Sequence, residues 1–372
     1  MAVFIYGTLQ DDILRSRLIG REVFGQAAVL QGFALVEQRD QLLPAIVPKD
    51  GAFVIGMMFD GLSDVEIERL DAYEIPFDYN PQDVTVQVDG QDVVVQVYMP
   101  GPNVAISDRP WSFDRWRDHS ADLSREMARE IGAFDPPLAG DQLRRQWNMI
   151  GTRAGARMRA ATEEQPSQVR FAGTAADFQM EREPAFAGNF FRFADFEISH
   201  RMFQGPTSDI LPREIFIGTD AAIVLPYDPK TDRVLLVEQI RMGPLMRGAS
   251  NPWILEPIAG MIDGGETPEQ AGLRESEEEA GLSDVTLQKM FSYYPSTGGA
   301  TDFFYCFVGL CDLPDPTTYT GGLASESEDL RLHVLPFDDA YALIETGEAN
   351  MGALITMLLW LSQNRERLRG IA

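Results

Sequence analysis

Between Gly260 and Leu282 the chain reads GMIDGGETPEQAGLRESEEEAGL, and its carboxylates have a spacing suited to holding a cation. Gly260, Glu266, Arg274, Glu275, Glu278, Glu279 and Gly281 fall in the pattern G-x5-E-x7-R-E-U-x-E-E-x-G-U, where U is a bulky apolar residue. Thr267 is a good helix N-cap, Pro268 suits the first helical position and Gln270 can complete a capping box. Gly281 is placed to end the helix in the left-handed conformation, with Leu282 behind it as the apolar contact. On this helix Glu275, Glu278 and Glu279 lie three or four residues apart and share one face, while Leu273, Ser276 and Ala280 form another suited to packing on a sheet. Like charges four apart weaken a helix by about 0.2–0.5 kcal/mol per pair, so carboxylates gathered on one face call for a cation. Hard divalent ions such as Mg²⁺ bind through a few carboxylates together with substrate phosphates. A solvated acidic face is the bland alternative, but seven positions at roughly one in fifteen each match by chance at about 10⁻⁸ per start site.

The elements that must position this stretch are strands. Phe186 to Phe196, Glu214 to Ile217, Ala221 to Leu225 and Val234 to Glu238 are strand-like, with a hairpin-type turn at Asp228 to Asp232. PWILEPIAG then enters the acidic stretch and places the carbonyl of Ala259 at the mouth of its loop. Strand, loop, helix and a return to strand predict an α/β/α layered domain. Upstream, residues 2–6 form an apolar run broken at Gly7 and Thr8, as in a buried strand ending in a tight turn. Strand-like pieces follow around 27–36, 53–60, 83–88 and 92–99, with helical periodicity at 9–18 and 63–74. Ser63 is the N-cap candidate of the second helix. From Gly101 to about Gln165, Trp111, Trp116 and mixed basic and apolar positions predict two or three helices, ended by Glu163-Glu164-Gln165-Pro166-Ser167. The run from Met351 to Ser362 reads as a C-terminal helix.

At 372 residues two domains are the default. The net charge of −26 argues against nucleic acid or an anionic membrane as partner. Cys306 and Cys311 sit five apart in one apolar run, which on a strand sends them to opposite faces, so reduced thiols and a cytoplasmic location are expected. The start MAVFIYGTL lacks a basic segment before its apolar run and reads as a strand rather than a signal peptide. His119, His200 and His333 show no ligand spacing.

The stretch from Gly260 to Leu282 resembles a Nudix box, the metal-binding loop and helix of hydrolases that cut nucleoside diphosphates linked to another group; Ser276, where the pattern prefers an apolar residue, is its one departure. From about Phe186 to Leu368 the chain resembles bacterial ADP-ribose pyrophosphatases, through PREIFIG, DAAIVLPYDP, LLVEQIR, PWILEPIAGMI and GGLASESEDLRLHV. That resemblance implies hydrolysis of ADP-ribose to AMP and ribose 5-phosphate, with Mg²⁺ as cofactor and Mn²⁺ as the alternative ion. It implies that Glu275, Glu279 and the Ala259 carbonyl hold metal, with Glu278 close by, and that Glu328 completes the metal site. Glu326 becomes the base acting on the attacking water, an assignment that rests on the resemblance, since SESED also offers Glu328 and Asp329. Arg213 and Arg241 would hold phosphate or ribose, Phe190 would stack on adenine, and the strands before the box would form a homodimer interface. For Arg241 the plainer alternative is a surface partner of Glu238. Pro295-Ser296-Thr297-Gly298-Gly299 departs from the family's Ser-Pro-Gly-Gly turn, which keeps another nucleoside diphosphate sugar or a dinucleotide as the alternative substrate.

YGTL (Tyr6, Gly7, Thr8, Leu9) and LDAYE (Leu70 to Glu74), with LPAIVP and VIGMMF between them, resemble the gamma-glutamyl cyclotransferase-like family. The resemblance implies a mixed barrel, a substrate carboxylate held by the YGTL turn and Glu74 as general base. Apolar Phe59, Ile75 and Phe77 near Glu74 would raise its pKa toward that task. The alternative is a non-catalytic binding or assembly module. The expected architecture is thus a two-domain α+β and α/β chain: a cyclotransferase-like barrel over 1–100, a helical connector over 101–167 and a Nudix α/β/α sandwich over 168–372.

Overall fold

The apolar run that opens the chain becomes β1 (Val3–Ile5), whose residues alternate between two cores. Val3 and Ile5 face a helix-covered core, while Phe4 and the following Tyr6 point into a barrel. The computed structural model describes residues 2–138, 140–315, 318–323 and 328–370, and these form two units, Met1–Thr162 and Glu163–Ala372.

In the first unit β1 is followed by α1 (Asp12–Ile19), β2 (Gln26–Gln38), β3 (Pro44–Phe59), α2 (Asp64–Glu74), β4 (Tyr79–Val88), β5 (Gln91–Pro100), β6 (Ile106–Pro110), α3 (Phe113–Gly132) and α4 (Gln142–Thr162). The strand order β3-β1-β5-β4-β2 closes because β2 also pairs with β3, giving a five-strand barrel with β6 as an added edge. Closure leaves the barrel strands no free edge. Leu30, Ile46, Val54, Val86 and Val97 fill the barrel, and Leu14, Leu18, Leu70 and Trp116 pack the helices against its outside. Ser63 caps α2 in a full capping box with Glu66. The helices of the segment expected to connect the domains belong to this first unit. Arg153 of α4 reaches Glu130 of α3 at 2.6 Å with both side chains buried, and Met127, Leu143, Ile150 and Ala154 form the apolar seam beside that pair.

The second unit begins with a three-stranded antiparallel sheet, β7 (Phe178–Ala187), β8 (Arg192–His200) and β9 (Leu211–Ile217). The run from Phe186 to Phe196, expected as one strand, is split between β7 and β8, because the chain reverses between Ala187 and Arg192. Then come β10 (Asp220–Asp228), β11 (Arg233–Ile240), α5 (Met242–Arg247), β12 (Trp253–Glu256), β13 (Ile258–Met261), α6 (Pro268–Ala280), β14 (Thr286–Tyr293), β15 (Phe303–Leu310), β16 (Thr318–Gly321), β17 (Leu330–Pro336), α7 (Phe337–Thr346) and α8 (Gly352–Arg369). The larger sheet runs β14-β15-β10-β11-β17-β16, with β12 on β11 and β13 on β10. Its middle strand β10 is apolar on both faces, as a strand covered on both sides must be. Ala222 and Val224 look toward α6, whereas Ile223, Leu225 and Tyr227 look toward α7 and α8. This is an α/β/α sandwich. No helix among the described residues is long and apolar enough to cross a membrane, and both cysteines are free.

Candidate metal and substrate sites

Helix α6 starts and stops where its sequence dictates. The Gln270 N–H donates to Thr267 Oγ1 at 3.2 Å and the Thr267 N–H donates to Gln270 Oε1 at 2.8 Å, the reciprocal capping box. The helix ends at Gly281 with φ of 67°, and the Leu282 N–H returns to the Ser276 carbonyl at 3.0 Å. Its buried face consists of Ala271, Gly272, Ser276, Glu279 and Ala280. Ser276 tolerates complete burial because its hydroxyl donates to the Gly272 carbonyl at 2.6 Å. Leu273, expected on this face, is 43% exposed. Each residue turns the helix by about 100°, so Leu273 lies a quarter turn or more from Gly272 and misses the sheet. Glu279 instead sits seven residues after Gly272, on the packing side.

That placement sets the electrostatics. Glu279 is 2% exposed and its Oε2 has no hydrogen-bond partner. Burial pushes its pKa up to about 9, with Glu275 and Glu328 adding repulsion, while Arg241 and the Ala259 N–H pull it back. Burial likewise lifts Glu275 to about 7, against the opposing charge of Arg274 and with the help of Glu278 and Glu328. Gly260 lets this cluster form. A Cβ there would lie 1.8 Å from Glu275 Oε1, so only a residue without a side chain admits the carboxylate. Arg274 ties the loop to the helix through Glu266 at 3.0 Å, Glu275 at 2.6 Å, Glu278 at 3.0 Å and the Met261 carbonyl at 3.0 Å. Glu328 Oε2 accepts from the Leu323 N–H at 3.1 Å.

The structure therefore brings Glu275, Glu279 and Glu328 into one electrostatic neighbourhood, with Ala259 and Arg241 beside it. Glu275 and Glu279, pressed this far toward their neutral forms, and the orphaned buried oxygen of Glu279 suit a hard divalent cation. Among the described residues, no three His, Cys, Asp or Glu side chains close around a cation position without help. Arg274 accounts for part of this by drawing Glu275 and Glu278 to itself. Glu326 lies outside the described residues.

Arg241 has a different partner from the one weighed on sequence. It pairs with buried Glu256 at 2.7 Å, and Glu238 pairs with His333 at 2.9 Å and Arg331 at 3.4 Å. Glu256 was not singled out in the sequence; β12 and β11 are antiparallel neighbours, and only their pairing places it beside Arg241. Arg213 and Phe190 stand on the three-stranded sheet. Arg213 is exposed on β9, and Phe190, 52% exposed between β7 and β8, packs edge-on against Phe191. Phe216 of that sheet bridges to Ala300 in the turn before β15. Neither Arg213 nor Phe190 is gathered with Glu275 and Glu279. The turn at 296–300 forms with Thr297 in it: the Ser296 carbonyl accepts from Gly299 at 3.2 Å and from Ala300 at 3.0 Å.

In the first unit a cavity of ≈ 380 Å³ is lined by Tyr6, Gly7, Thr8 and Leu9 together with Glu74. A Cβ on Gly7 would lie 2.4 Å from Pro44 Cγ, so the turn can approach that wall only as glycine. Glu74, the last residue of α2, is half-buried, and desolvation raises its pKa to about 7. Of the three apolar neighbours expected for it, only Phe77 lines the cavity; Phe59 lies in the core and Ile75 is 41% exposed. Tyrosines take their place. Tyr6 donates to the Tyr98 carbonyl at 2.9 Å, Tyr98 to Asp71 at 2.7 Å and Tyr79 to the Pro44 carbonyl at 2.7 Å. These hydroxyls are thus engaged elsewhere, and no described residue donates a hydrogen bond to the Glu74 carboxylate. Tyr6 was named with the YGTL turn, but Tyr79 and Tyr98 were not, because they come together only through the pairing of β4 with β5.

Residues 3–118 match the family model described as gamma-glutamyl cyclotransferase, AIG2-like, and residues 218–357 match the NUDIX domain. An ADP-ribose pyrophosphatase of Haemophilus influenzae is 37% identical over 195 residues, 52% of this chain and 89% of that protein. The ADP-ribose pyrophosphatase of Escherichia coli (strain K12) is 38% identical over 190 residues, 50% of this chain and 88% of that protein. A GDP-mannose pyrophosphatase of Escherichia coli (strain UTI89 / UPEC) is 30% identical over 152 residues, 41% of this chain and 78% of that protein. With the box helix capped as its sequence dictates and carboxylates grouped at its buried end, the chain belongs to the Nudix hydrolases through its second unit and carries a gamma-glutamyl cyclotransferase, AIG2-like domain in its first.

Proposed function

We propose that the second unit hydrolyses the pyrophosphate of ADP-ribose to AMP and ribose 5-phosphate, with Mg²⁺ as its ion and Mn²⁺ as the alternative. The observation that carries this is buried Glu279, with an orphaned oxygen, repelled by Glu275 and Glu328. Glu275, Glu279, Glu328 and the Ala259 carbonyl hold the ion. When bound, the ion neutralises charge on the phosphoryl oxygens and makes water more acidic. Glu326 takes the proton as the water oxygen bonds one phosphorus and the bridging P–O bond breaks. Arg274 ties Glu275 and Glu278 to Glu266 of the loop. Arg241 adds positive charge next to Glu279 while Glu256 fixes its direction. Arg213 and Phe190 contact the phosphate or ribose and the adenine. The relatives named for ADP-ribose support that substrate over a GDP-sugar, since they match more of the chain at higher identity. Comparing kcat/KM for ADP-ribose, GDP-mannose, NADH and FAD tests the choice. We expect ADP-ribose to lead by about tenfold or more, a margin one well-made polar contact can supply. A GDP-mannose lead would keep the reaction class and reject the substrate.

The first unit supports a second reading, cyclisation of gamma-glutamyl amines. The substrate's own α-amine would attack its γ-carbonyl carbon, and the bond to the amine half would break. Glu74 would take the proton from the attacking nitrogen and return it to the departing amine, releasing 5-oxoproline. A carboxyl whose pKa burial lifts to about 7, lining a cavity beside the YGTL turn, favours this over a purely assembling role. The acidic surface speaks for a small-molecule substrate rather than nucleic acid. A homodimer through the strands before the box is supported by Phe178, Phe186, Phe191 and Phe193, each more than two-fifths exposed on the small sheet or its turn.

A further inference from the structure

The cavity of the first unit is finished by residues beyond the segment that matches the cyclotransferase family. That match ends at residue 118, yet Ser124 of α3 and Arg144 and Trp147 of α4 also line the cavity. The two helices are firmly attached there. Trp147 packs edge-on against Phe77 at 4.7 Å and tilted against Tyr73 at 6.2 Å, so it braces positions on either side of Glu74. Buried Glu130 fixes α3 to α4 by accepting from Arg153 at 2.6 Å and from Arg157 at 3.1 Å.

Two cations face the same cavity, Arg144 from α4 and Arg39 from the end of β2. Both are exposed, and neither guanidinium makes an ion pair or hydrogen bond with a described residue. Asp78 feels the charge of Arg144, but its oxygens are already bonded to the Asn103 backbone N–H at 2.9 Å, Asn103 Nδ2 at 3.1 Å and Asn80 Nδ2 at 3.0 Å. In a chain of net charge −26, two arginines on one cavity with no ion pair or hydrogen bond to a described residue are a provision for an anion from outside. The YGTL turn and Glu74 account for the glutamyl half of a substrate. The anion that remains to be recognised is then on the amine half.

We propose that Arg144, assisted by Arg39, is a specificity determinant of this pocket and selects gamma-glutamyl compounds whose amine half carries a carboxylate, with Trp147 as the apolar wall beside it. A guanidinium can hold a carboxylate through two parallel hydrogen bonds, and a neutral or cationic amine half forgoes them. The inference rests on the cyclotransferase reading, and the experiment keeps the two apart. With the full-length chain, 5-oxoproline release is followed from gamma-glutamyl-alanine and from gamma-glutamyl-alaninamide, which differ by one charge. The wild type is expected to favour the acid in kcat/KM by about tenfold or more, the range for a hydrogen bond to a charged group. Arg144→Gln lowers that acid-to-amide ratio by about tenfold, and Arg144→Lys restores part of it. A ratio unchanged by Arg144→Gln overturns the proposal. Should the wild type release no 5-oxoproline from either compound, the cyclotransferase reading fails, and calorimetric binding of the two compounds decides the rest. Tighter binding of the acid that disappears in Arg144→Gln sustains the selection of an anion; equal binding, or none, overturns it.

Discussion

At the scale of single residues, both units contain carboxylates that burial pushes toward their neutral forms. Glu74 is lifted to about 7, Glu275 to about 7 and Glu279 to about 9. A folded-state pKa above the unfolded value means that the folded chain keeps the proton longer. Such a group costs stability as pH rises from its ordinary value toward its raised one. If Glu74 is the base we propose, the same shift sets the pH range of catalysis. Its basic form fills only as pH passes about 7, so 5-oxoproline release should climb through that region and then level. A midpoint near the ordinary carboxylate value, or an unchanged profile in Glu74→Gln, would contradict it. The acidic cluster was legible in sequence because its residue types recur at fixed spacing, but the unequal burial of its members was not. Glu279 reads as one of three carboxylates on an open face, and only the angle at which α6 meets β10 turns it inward. The partner of Arg241 was hidden for a similar reason, since Glu256 becomes its neighbour only through the pairing of β11 and β12.

At the scale of elements, local chemistry was the better guide. Thr267, Pro268, Gln270 and Gly281 announce both ends of α6, and Ser63 announces the start of α2. Such signals act within one turn of the chain and need no tertiary context. Where long-range packing decides, the sequence said less. Helices α3 and α4 were foreseen as helices, yet nothing local reveals that their apolar seam meets Tyr73 and Phe77 beside the cavity. The reversal that splits β7 from β8 was overlooked because the aromatic residues of both strands read as one apolar run. The loop before α6 gives the sharpest test at this scale. In Gly260→Ala the new Cβ would fall 1.8 Å from Glu275 Oε1, which forces the carboxylate or the loop to move. Overpacking of this kind costs about 1–3 kcal/mol, so kcat/KM for ADP-ribose should fall about tenfold or more with the far-UV circular dichroism unchanged. Full activity in Gly260→Ala would mean that the close approach has no functional weight.

At the scale of the whole molecule, the two units present different chemistry on one acidic chain. The small sheet of the second unit exposes Phe178, Phe186 and Phe193, and a second copy of the chain is the partner we infer for it. Sedimentation equilibrium should give twice the chain mass for wild type and a shift toward monomer for Phe193→Asp, because a buried charge at such an interface costs several kcal/mol. A wild-type monomer at micromolar concentration would remove the dimer from the account. The division into a barrel with helices and a layered sandwich followed from the order of strand and helix signals. The closing of the barrel by β2 against β3 was implied only by resemblance, since register between distant strands leaves no local mark. If the carboxylates at the buried end of α6 serve pyrophosphate cleavage, AMP release from ADP-ribose at saturating Mg²⁺ must depend on Glu279, a dependence measured by comparing wild type with Glu279→Gln. Turnover is expected in wild type, with a loss of about a hundredfold or more in the variant, since charge stabilisation by the ion is worth several kcal/mol. A loss smaller than about tenfold, or no turnover in wild type, would contradict that role.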